Sequence, residues 1–318
     1  MGAQLRIQDQ LLSGRPPANS PRTLLLGGSG AYALPAGTLG ERISSRRVRT
    51  PYGLSNPVHL CESAGFRFLF LSRHGEKGYD KTAPYVNYRA NIYAAKVLGV
   101  TRIVAWTGPG AISRKYRPGD LALPDDLLDF TRNRPSTFYE GKGIGFLRQS
   151  PVFCERLRAA LLRSAKRREG GRAAGSLHSG GTYACTEGPR LETPAEIRFL
   201  ARAGAGLVGM TLCPEAFLAR ELEICYAPVA YVTNYAEGVR KMPYRPGALF
   251  EGMLPPAEAG AVEAAKNAIP GIAISAARAV AGEERDCPCA VSMERYRKRG
   301  VIGPDFRGWV ANPKGARR

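Results

Sequence analysis

Short apolar segments that alternate with helical segments constrain the fold of this chain more than any other feature. Residues 66–75, FRFLFLSRHG, and 102–112, RIVAWTGPGAI, have the composition of buried strands that run into polar or glycine-rich loops. Between them, residues 87–100 place apolar side chains at helical spacing and end near Gly99. A strand, a helix and a strand in this order predict a parallel unit covered by the helix.

The same alternation extends along most of the chain. Thr193 and Glu196 have the capping-box spacing of a helix start. We predict strands at 23–30, where the run ends in a glycine loop, at 57–63, at 178–193 in part, at 206–212 and at 225–235. We predict helices at 152–167, 214–223 and 258–282, the last interrupted at Pro270. The sequence therefore predicts an α/β single domain with a mixed, mainly parallel central sheet flanked by helices.

The composition sets the domain organisation and the class of protein. With 318 residues and 44% hydrophobic side chains, the chain can bury one substantial core. We predict a flexible tail at 1–22, one domain at 23–282 and an irregular basic extension at 283–318. No long apolar run and no secretory signal are visible, so we expect a soluble cytoplasmic protein without a membrane partner.

The charge of the chain attracts anions without identifying a nucleic acid. The 46 Lys and Arg against 27 Asp and Glu give a formal charge of +19. The basic residues are spread along the chain and no aromatic-rich binding motif accompanies them. We therefore favour solubility and anion attraction over specific nucleic-acid binding.

Seven cysteines are present, and Cys287 and Cys289 form a CxC pair. Such a pair forms a strained or exchangeable disulfide, or binds a metal only if more ligands converge on it. With no nearby histidine, we expect no zinc site, and we expect the other five thiols to be buried and reduced.

Chemistry-bearing residues concentrate where the predicted strands end, which is where ligands bind in open α/β sheets. The dinucleotide and Walker glycine spacings are absent, which leaves a site for a small anion. Its candidate donors are the Ser29 and Thr211 hydroxyls, the Gly108 N–H, Arg73 as a bidentate fork, and His74. Ser29 and Thr107 could instead bond their own turns, and Arg73 with His74 could be a solvated pair.

Six ordered blocks within residues 23–240 carry a resemblance to a known family. They are GGSG (27–30), SRHG (72–75), VNYRANIYAAKVLGVTRIV (86–104), TEGPRLETPAE (186–196), VGMTLCPEAFLARELEICYA (208–227) and TNY (233–235). These blocks resemble the trimeric purine nucleoside phosphorylase and methylthioadenosine phosphorylase family.

The resemblance implies a homotrimer that cleaves purine nucleosides with inorganic phosphate and needs no metal or organic cofactor. By the same resemblance, phosphate is bound by Ser29, Arg73, His74, Thr107, the Gly108 N–H and Thr211. Met210 would pack near the ribose. Asn234, with His74, would be catalytic, because its amide would hydrogen-bond N7 and the 6-substituent of the departing base.

Two positions bear on which purine is accepted. Members that act on methylthioadenosine resemble one another in having TDYD where this chain has Thr233-Asn234-Tyr235-Ala236, and serine at the position of Glu192. Members that act on inosine and guanosine instead share the glutamate and the asparagine. Glu192 can accept from N1–H and Asn234 can donate to O6, so we expect a 6-oxopurine. As an alternative, Glu192 is simply a carboxylate at a helix start.

The 5′ group of the substrate and two departures from the family stay open. The inosine and guanosine enzymes use a late histidine at the 5′ hydroxyl, but this chain has none after His178, which favours an apolar pocket and S-methyl-5′-thioinosine. Leu191 replaces a phenylalanine that stacks on the base, and Pro109 removes an N–H near the phosphate. Inosine, guanosine, methylthioadenosine or a non-catalytic binding role remain the alternatives.

Overall fold

The computed structural model describes residues 20–169, 175–241, 246–249 and 254–310. Most of the predicted tail at 1–22, and residues 311–318 of the predicted extension, lie outside these ranges. The strands are β1 (Thr23–Gly27), β2 (Glu41–Arg46), β3 (Arg49–Thr50), β4 (Gly53–Leu54), β5 (Val58–Ser63), β6 (Phe66–Ser72), β7 (Arg102–Thr107), β8 (Gly110–Ala111), β9 (Leu121–Leu123), β10 (Asp126–Phe130), β11 (Leu177–Ser179), β12 (Thr182–Thr186), β13 (Ala205–Gly209), β14 (Cys225–Tyr231) and β15 (Asn234–Tyr235). The helices are α1 (Tyr88–Val97), α2 (Glu155–Glu169), α3 (Pro194–Arg202), α4 (Leu212–Glu221), α5 (Pro256–Ala279) and α6 (Glu294–Lys298).

The predicted α/β class is confirmed, and the strands divide between two sheets. One sheet has the order β11-β9-β14-β7-β1-β6-β5-β2, and the other has the order β10-β12-β13-β8-β15. In the first sheet β1 pairs in parallel with both β6 and β7, and β7 pairs in parallel with β14. Helix α1 connects β6 to β7, as the strand, helix, strand pattern predicted.

Two glycines explain why residues 178–193, which were expected to contain one strand, contribute to two strands in different sheets. Residues 178–193 contain the end of β11 and all of β12, which belong to different sheets. Gly180 and Gly181 separate these strands and have φ values of 112° and 117°. Other residue types rarely adopt this backbone region, so the two glycines permit the sharp change of direction.

The sheet containing β1 is covered on both faces. Leu24 and Leu26 join one buried cluster with Ile92 of α1, whereas Leu25 joins a second cluster with Ile269 of α5. Burial on both faces accounts for the continuous apolar run in β1, since a half-exposed strand would alternate apolar and polar residues.

Helix α5 corrects the expected interruption at Pro270, because the helix continues through this residue. A proline inside a helix costs about 3 kcal/mol through its missing N–H and its ring clash. Here Pro270 and its neighbours Ile269, Ile272 and Ala273 are buried in the core. Burial of this face offsets the local cost.

Residues 283–310, where the sequence shows no periodicity, contain α6 and pack on the core. Met293 and Tyr296 are buried in the first cluster, and Arg297 forms an ion pair with Glu223 at 2.7 Å. Among the described residues, no helix is both long and apolar enough to cross a membrane.

Candidate active site

Three loops meet at the carboxyl edge of the eight-stranded sheet. Gly28 follows β1, Arg73 follows β6, and Thr107 ends β7. A β-carbon at Gly28 would lie 2.4 Å from the Trp106 carbonyl oxygen, 2.5 Å from Arg73 Nη1 and 3.3 Å from Thr107 Cα. Any side chain there would clash, so glycine allows the β1 loop to lie directly against Arg73 and Thr107.

Thr107 and Thr211 bring the two sheets together at this edge. Thr211 lies between β13 and α4, and its hydroxyl oxygen is 3.1 Å from that of Thr107. The hydroxyl of the buried Tyr183 lies 3.4 Å from Thr107 Oγ1. Thr211 makes no side-chain cap to α4, which leaves its hydroxyl able to rotate towards a ligand. The two predicted phosphate-binding threonines are therefore neighbours.

Arg73 is fully buried and its bidentate edge binds Glu215 of α4. Nε and Nη2 donate to the two carboxylate oxygens at 2.7 and 2.9 Å, and Nη1 donates to the Trp106 carbonyl at 2.8 Å. Burial opposes the charge, but the Glu215 carboxylate outweighs it and raises the pKa of Arg73 above its ordinary value.

This pairing changes the role expected of Arg73. The fork predicted to grip phosphate is occupied by Glu215, and a long contact from Nη2 to the Leu26 carbonyl uses the remaining hydrogen of that nitrogen. Of the five N–H groups of a guanidinium, one on Nη1 is left for a ligand. Glu215 was missed by the sequence reasoning, which treated residues 214–223 only as a helix.

His74 presents an unpaired nitrogen at the same edge. Its Nδ1 lies 3.0 Å from the Lys81 carbonyl oxygen, and its Nε2 is buried without a hydrogen-bond partner among the described residues. Burial, followed by the nearby Arg73 charge, lowers the pKa of His74 to about 4. The neutral ring therefore donates from Nδ1 and offers a lone pair at Nε2.

Ser29 and Gly108 lie together on the other side of the β1 loop. The Ser29 hydroxyl is 2.5 Å from the Tyr79 hydroxyl, and the Tyr79 ring centre is 4.7 Å from that of His74. Tyr231 donates to the Ser29 carbonyl at 3.0 Å, and its ring would lie 3.1 Å from a β-carbon at Gly108. Ser29, His74 and Gly108 are thus linked through two tyrosines that the sequence reasoning did not single out.

The two base-reading candidates lie at the edge of the five-stranded sheet. Thr186 at the end of β12 donates to Glu192 Oε1 at 2.5 Å, which fixes the carboxylate. Asn234 pairs with Gly110 of β8, which in turn pairs with Val208 of β13. Three strand spacings of about 4.8 Å separate β12 from β15, which leaves room between the two side chains for a planar base.

Asn234 is turned onto its own loop. Its Oδ1 accepts from the Thr233 hydroxyl at 2.6 Å, and its Nδ2 donates to the Tyr235 carbonyl at 2.8 Å. Pro109 supports this loop, since its carbonyl accepts from the Thr233 N–H at 3.0 Å. The Tyr235 carbonyl takes one of the two hydrogens on Nδ2, and the second is left to donate to a base.

Arg134 ties together the loops that carry the candidate residues. Its side chain is 1% exposed, and Nη1 donates to the Cys213 and Met210 carbonyls. Nη2 donates to the Thr186 carbonyl at 3.1 Å and to the Glu187 carbonyl. Four backbone carbonyls from two loops therefore depend on one guanidinium, which no motif in the sequence indicated.

The remaining candidates line the same region. A β-carbon at Gly188 would lie 2.4 Å from Met210 Sδ, which places the thioether against the loop after β12. Leu191 is partly buried next to Glu192. Ala236 is 5% exposed and its N–H donates to the Ala111 carbonyl at 2.9 Å, so the position where related chains carry a carboxylate holds a buried methyl group.

Comparison with known proteins identifies the family of this chain. The family model described as the phosphorylase superfamily matches residues 23–254. The chain belongs to this family. The match includes every candidate site residue described above.

Individual relatives show which phosphorylases of this family the chain is similar to. A probable 6-oxopurine nucleoside phosphorylase from Thermococcus kodakarensis is 46% identical over 226 residues, which cover 69% of this chain and 81% of that protein. A probable S-methyl-5′-thioinosine phosphorylase from Methanothermobacter thermautotrophicus is 40% identical over 265 residues, which cover 83% of this chain and 86% of that protein. A crystal structure of a methylthioadenosine phosphorylase from an antarctic soil metagenomic library has a TM-score of 0.75 at 30% identity. The match covers 86% of this chain and 91% of that one. The predicted relation to the purine nucleoside phosphorylase and methylthioadenosine phosphorylase group is confirmed.

Proposed function

We propose that this enzyme cleaves a 6-oxopurine nucleoside with inorganic phosphate, and that S-methyl-5′-thioinosine is its substrate. The products would be hypoxanthine and 5-methylthioribose 1-phosphate. The observation that carries the proposal is the contact between the Thr107 and Thr211 hydroxyls, 3.1 Å apart, at the strand edge that also holds Arg73. The names of the relatives from Thermococcus and Methanothermobacter support the same activity and base class.

The phosphate-binding groups account for the first half of the reaction. The hydroxyls of Thr107 and Thr211 and the free N–H of Arg73 Nη1 would donate to the phosphate oxygens. A phosphate that retains a proton would donate to the unpaired Nε2 of His74. An anion held in this way stabilises the cationic sugar that forms as the bond to the base lengthens, and then attacks C1′.

The base-binding groups account for the second half. The electron pair of the C1′–N9 bond passes to the purine, so hydrogen bonds to the base strengthen in the transition state. The purine becomes neutral hypoxanthine by taking up the proton that hydrogen phosphate loses as its oxygen bonds to C1′. Glu192 Oε2 would accept from N1–H, and the second N–H of Asn234 Nδ2 would donate to O6. Ala236 offers no carboxylate for the amino group and N7 of adenine, which favours the oxygenated purine.

The test compares four nucleosides, each with and without phosphate: S-methyl-5′-thioinosine, inosine, guanosine and S-methyl-5′-thioadenosine. We expect phosphate-dependent release of base with the highest kcat/KM for methylthioinosine. Thr211→Val should raise the KM for phosphate, whereas the matched variant Thr131→Val should not, because among the described residues the Thr131 hydroxyl donates only to Asp129. Base release without phosphate would contradict phosphorolysis, and preference for methylthioadenosine would contradict the assignment of the base.

Methylthioadenosine phosphorylase is the second candidate, because structurally similar proteins carry that name. The same assay separates it from the main proposal. A homotrimer with sites near subunit boundaries and independence from cofactors remain predictions from the family resemblance, and the cytoplasmic location remains a prediction from the sequence. Light scattering would test the trimer, and turnover in the presence of a chelator would test the independence from metals.

A further inference from the structure

Four of the seven cysteines converge far from the candidate active site. Cys154 precedes α2, Cys225 begins β14, and Cys287 and Cys289 lie in the segment before α6. Their four Sγ atoms all lie within 4.8 Å of one another. Each of the four residues is at least 90% buried. The fold thus adds two ligands to the CxC pair, which removes the ground on which the sequence argued against zinc.

The spacing of the sulfurs fits a single tetrahedral ion. Zinc binds thiolates at about 2.3 Å, so the edges of a regular ZnS₄ tetrahedron are about 3.8 Å long. The observed sulfur separations bracket this length, since Cys225 and Cys287 are 3.3 Å apart and no pair exceeds 4.8 Å. Iron–sulfur clusters place bridging iron and sulfide between their cysteines and need a wider cage.

Charged groups of both signs lie beside the cluster. A small recess next to Cys154, Cys225 and Cys287 is also lined by three arginines and two glutamates, namely Arg102, Arg156, Arg285, Glu283 and Glu284. The guanidinium groups of Arg102 and Arg285 donate to backbone carbonyls, Arg102 to that of Glu283 and Arg285 to those of Thr101 and Glu223. In the described part of the chain neither of these two arginines forms an ion pair with a carboxylate, so their charges lie beside the sulfurs and are offset in part by Glu283 and Glu284 in the same recess.

We propose that Cys154, Cys225, Cys287 and Cys289 bind one zinc ion that fastens the C-terminal segment to the sheet. The ligands come from three places in the sequence, so the ion would act as a cross-link between β14, the start of α2 and residues 287–289. Cys225 pairs with Arg102 at the start of β7, whereas the active-site Thr107 ends that strand. Five residues of strand, about 17 Å, separate the two sites, so the ion stabilises the fold without entering the reaction.

The first experiment measures metal in the full-length protein, purified without a metal-affinity column or chelator. We expect about one zinc per chain by elemental mass spectrometry, released when a mercurial reagent blocks the thiols. Cobalt exchanged into the site should give the intense charge-transfer absorption of a tetrahedral thiolate complex. Absence of bound metal, iron in place of zinc, or disulfides among these cysteines in the unreduced protein would each overturn the proposal.

A matched pair of variants extends the test. Cys289→Ser should lose zinc and lower the Tm, while kcat well below the Tm stays within about twofold of the wild type. Cys61→Ala replaces a buried cysteine outside the cluster and should retain zinc. If Cys289→Ser fails to fold, the metal content and cobalt spectrum of the wild type still decide the question. Full zinc retention by Cys289→Ser would contradict the assigned ligand set.

Discussion

The Arg73–Glu215 pair offers the sharpest test of the proposed phosphate site. In Glu215→Gln the side chain keeps its shape but can accept only through one oxygen. The carboxylate now accepts from Arg73 Nε, Arg73 Nη2 and the Tyr226 hydroxyl, at 2.7, 2.9 and 2.8 Å. The new amide group would face either Arg73 Nε or both Arg73 Nη2 and the Tyr226 hydroxyl, so in each orientation it opposes a donor of Arg73. The guanidinium charge also loses its partner.

The size of the effect follows from complete burial. Arg73 is 0% and Glu215 1% exposed, so solvent does not screen the loss. Removing one partner of such a pair costs about 3–5 kcal/mol of unfolding free energy. For a domain of this size each kcal/mol shifts the Tm by about 2–4 °C, so we expect a decrease of at least about 6 °C. Displacement of Nη1 should also raise the KM for phosphate by about 10-fold, the equivalent of one weakened charged hydrogen bond.

Calorimetry gives the Tm, and initial rates at varied phosphate give the KM. Glu62→Gln is the matched control, because Glu62 pairs with Arg67 on the surface and its loss should cost less than about 1 kcal/mol. If Glu215→Gln keeps both the wild-type Tm and the wild-type KM for phosphate, Arg73 is not held by Glu215 in the way described. A lower Tm with an unchanged KM would instead remove Arg73 from the phosphate site.

Three further predictions test other parts of the site. Arg134→Lys cannot bridge carbonyls of both loops, so steady-state kinetics should show kcat/KM for the nucleoside reduced by about 10-fold or more. Because the pKa of His74 is about 4, the native state binds fewer protons than the unfolded state between pH 4 and 6.5. The contribution of neutral His74 to the free energy of unfolding is therefore present above pH 6.5 and is lost as the pH falls. Urea unfolding should show that, between pH 7 and pH 4.5, the free energy of unfolding falls by about 2–3 kcal/mol more in the wild type than in His74→Gln. Glu192→Ser should lower kcat/KM for methylthioinosine by roughly 10- to 100-fold, but not that for methylthioadenosine.

The fold was predictable where local pattern and burial agree. The apolar run of β1, the helical spacing of α1 and the capping box at Thr193 appear in the structure as expected. The division into two sheets was not predictable, because it depends on the direction in which Gly180 and Gly181 send the chain. Glycine spacing marks a turn but does not specify which strand edge the chain joins next.

The site was predictable only for residues at strand ends. Thr107 and Thr211 were both predicted to follow strands, and they are neighbours because the ends of β7 and β13, which belong to different sheets, meet at one place. Glu215 and Arg134 were missed because each acts through long-range contacts, to Arg73 and to four loop carbonyls, and a charge inside a helix or loop usually indicates exposure. The cysteine cluster was missed for the same reason, since its ligands are up to 135 positions apart along the chain, from 154 to 289.

The electrostatics of the proposed phosphate site would let it bind phosphate and still release a phosphorylated product. Before phosphate arrives, Glu215 compensates the buried charge of Arg73, and the nearby His74 is neutral. An isolated cation at this depth would be too costly to keep, and two uncompensated cations would bind phosphate esters very tightly. With the charge of Arg73 balanced, binding depends mostly on directed hydroxyl and N–H donors, whose strength depends on geometry. Such a site can favour the arrangement of the transition state over that of either bound phosphate or product.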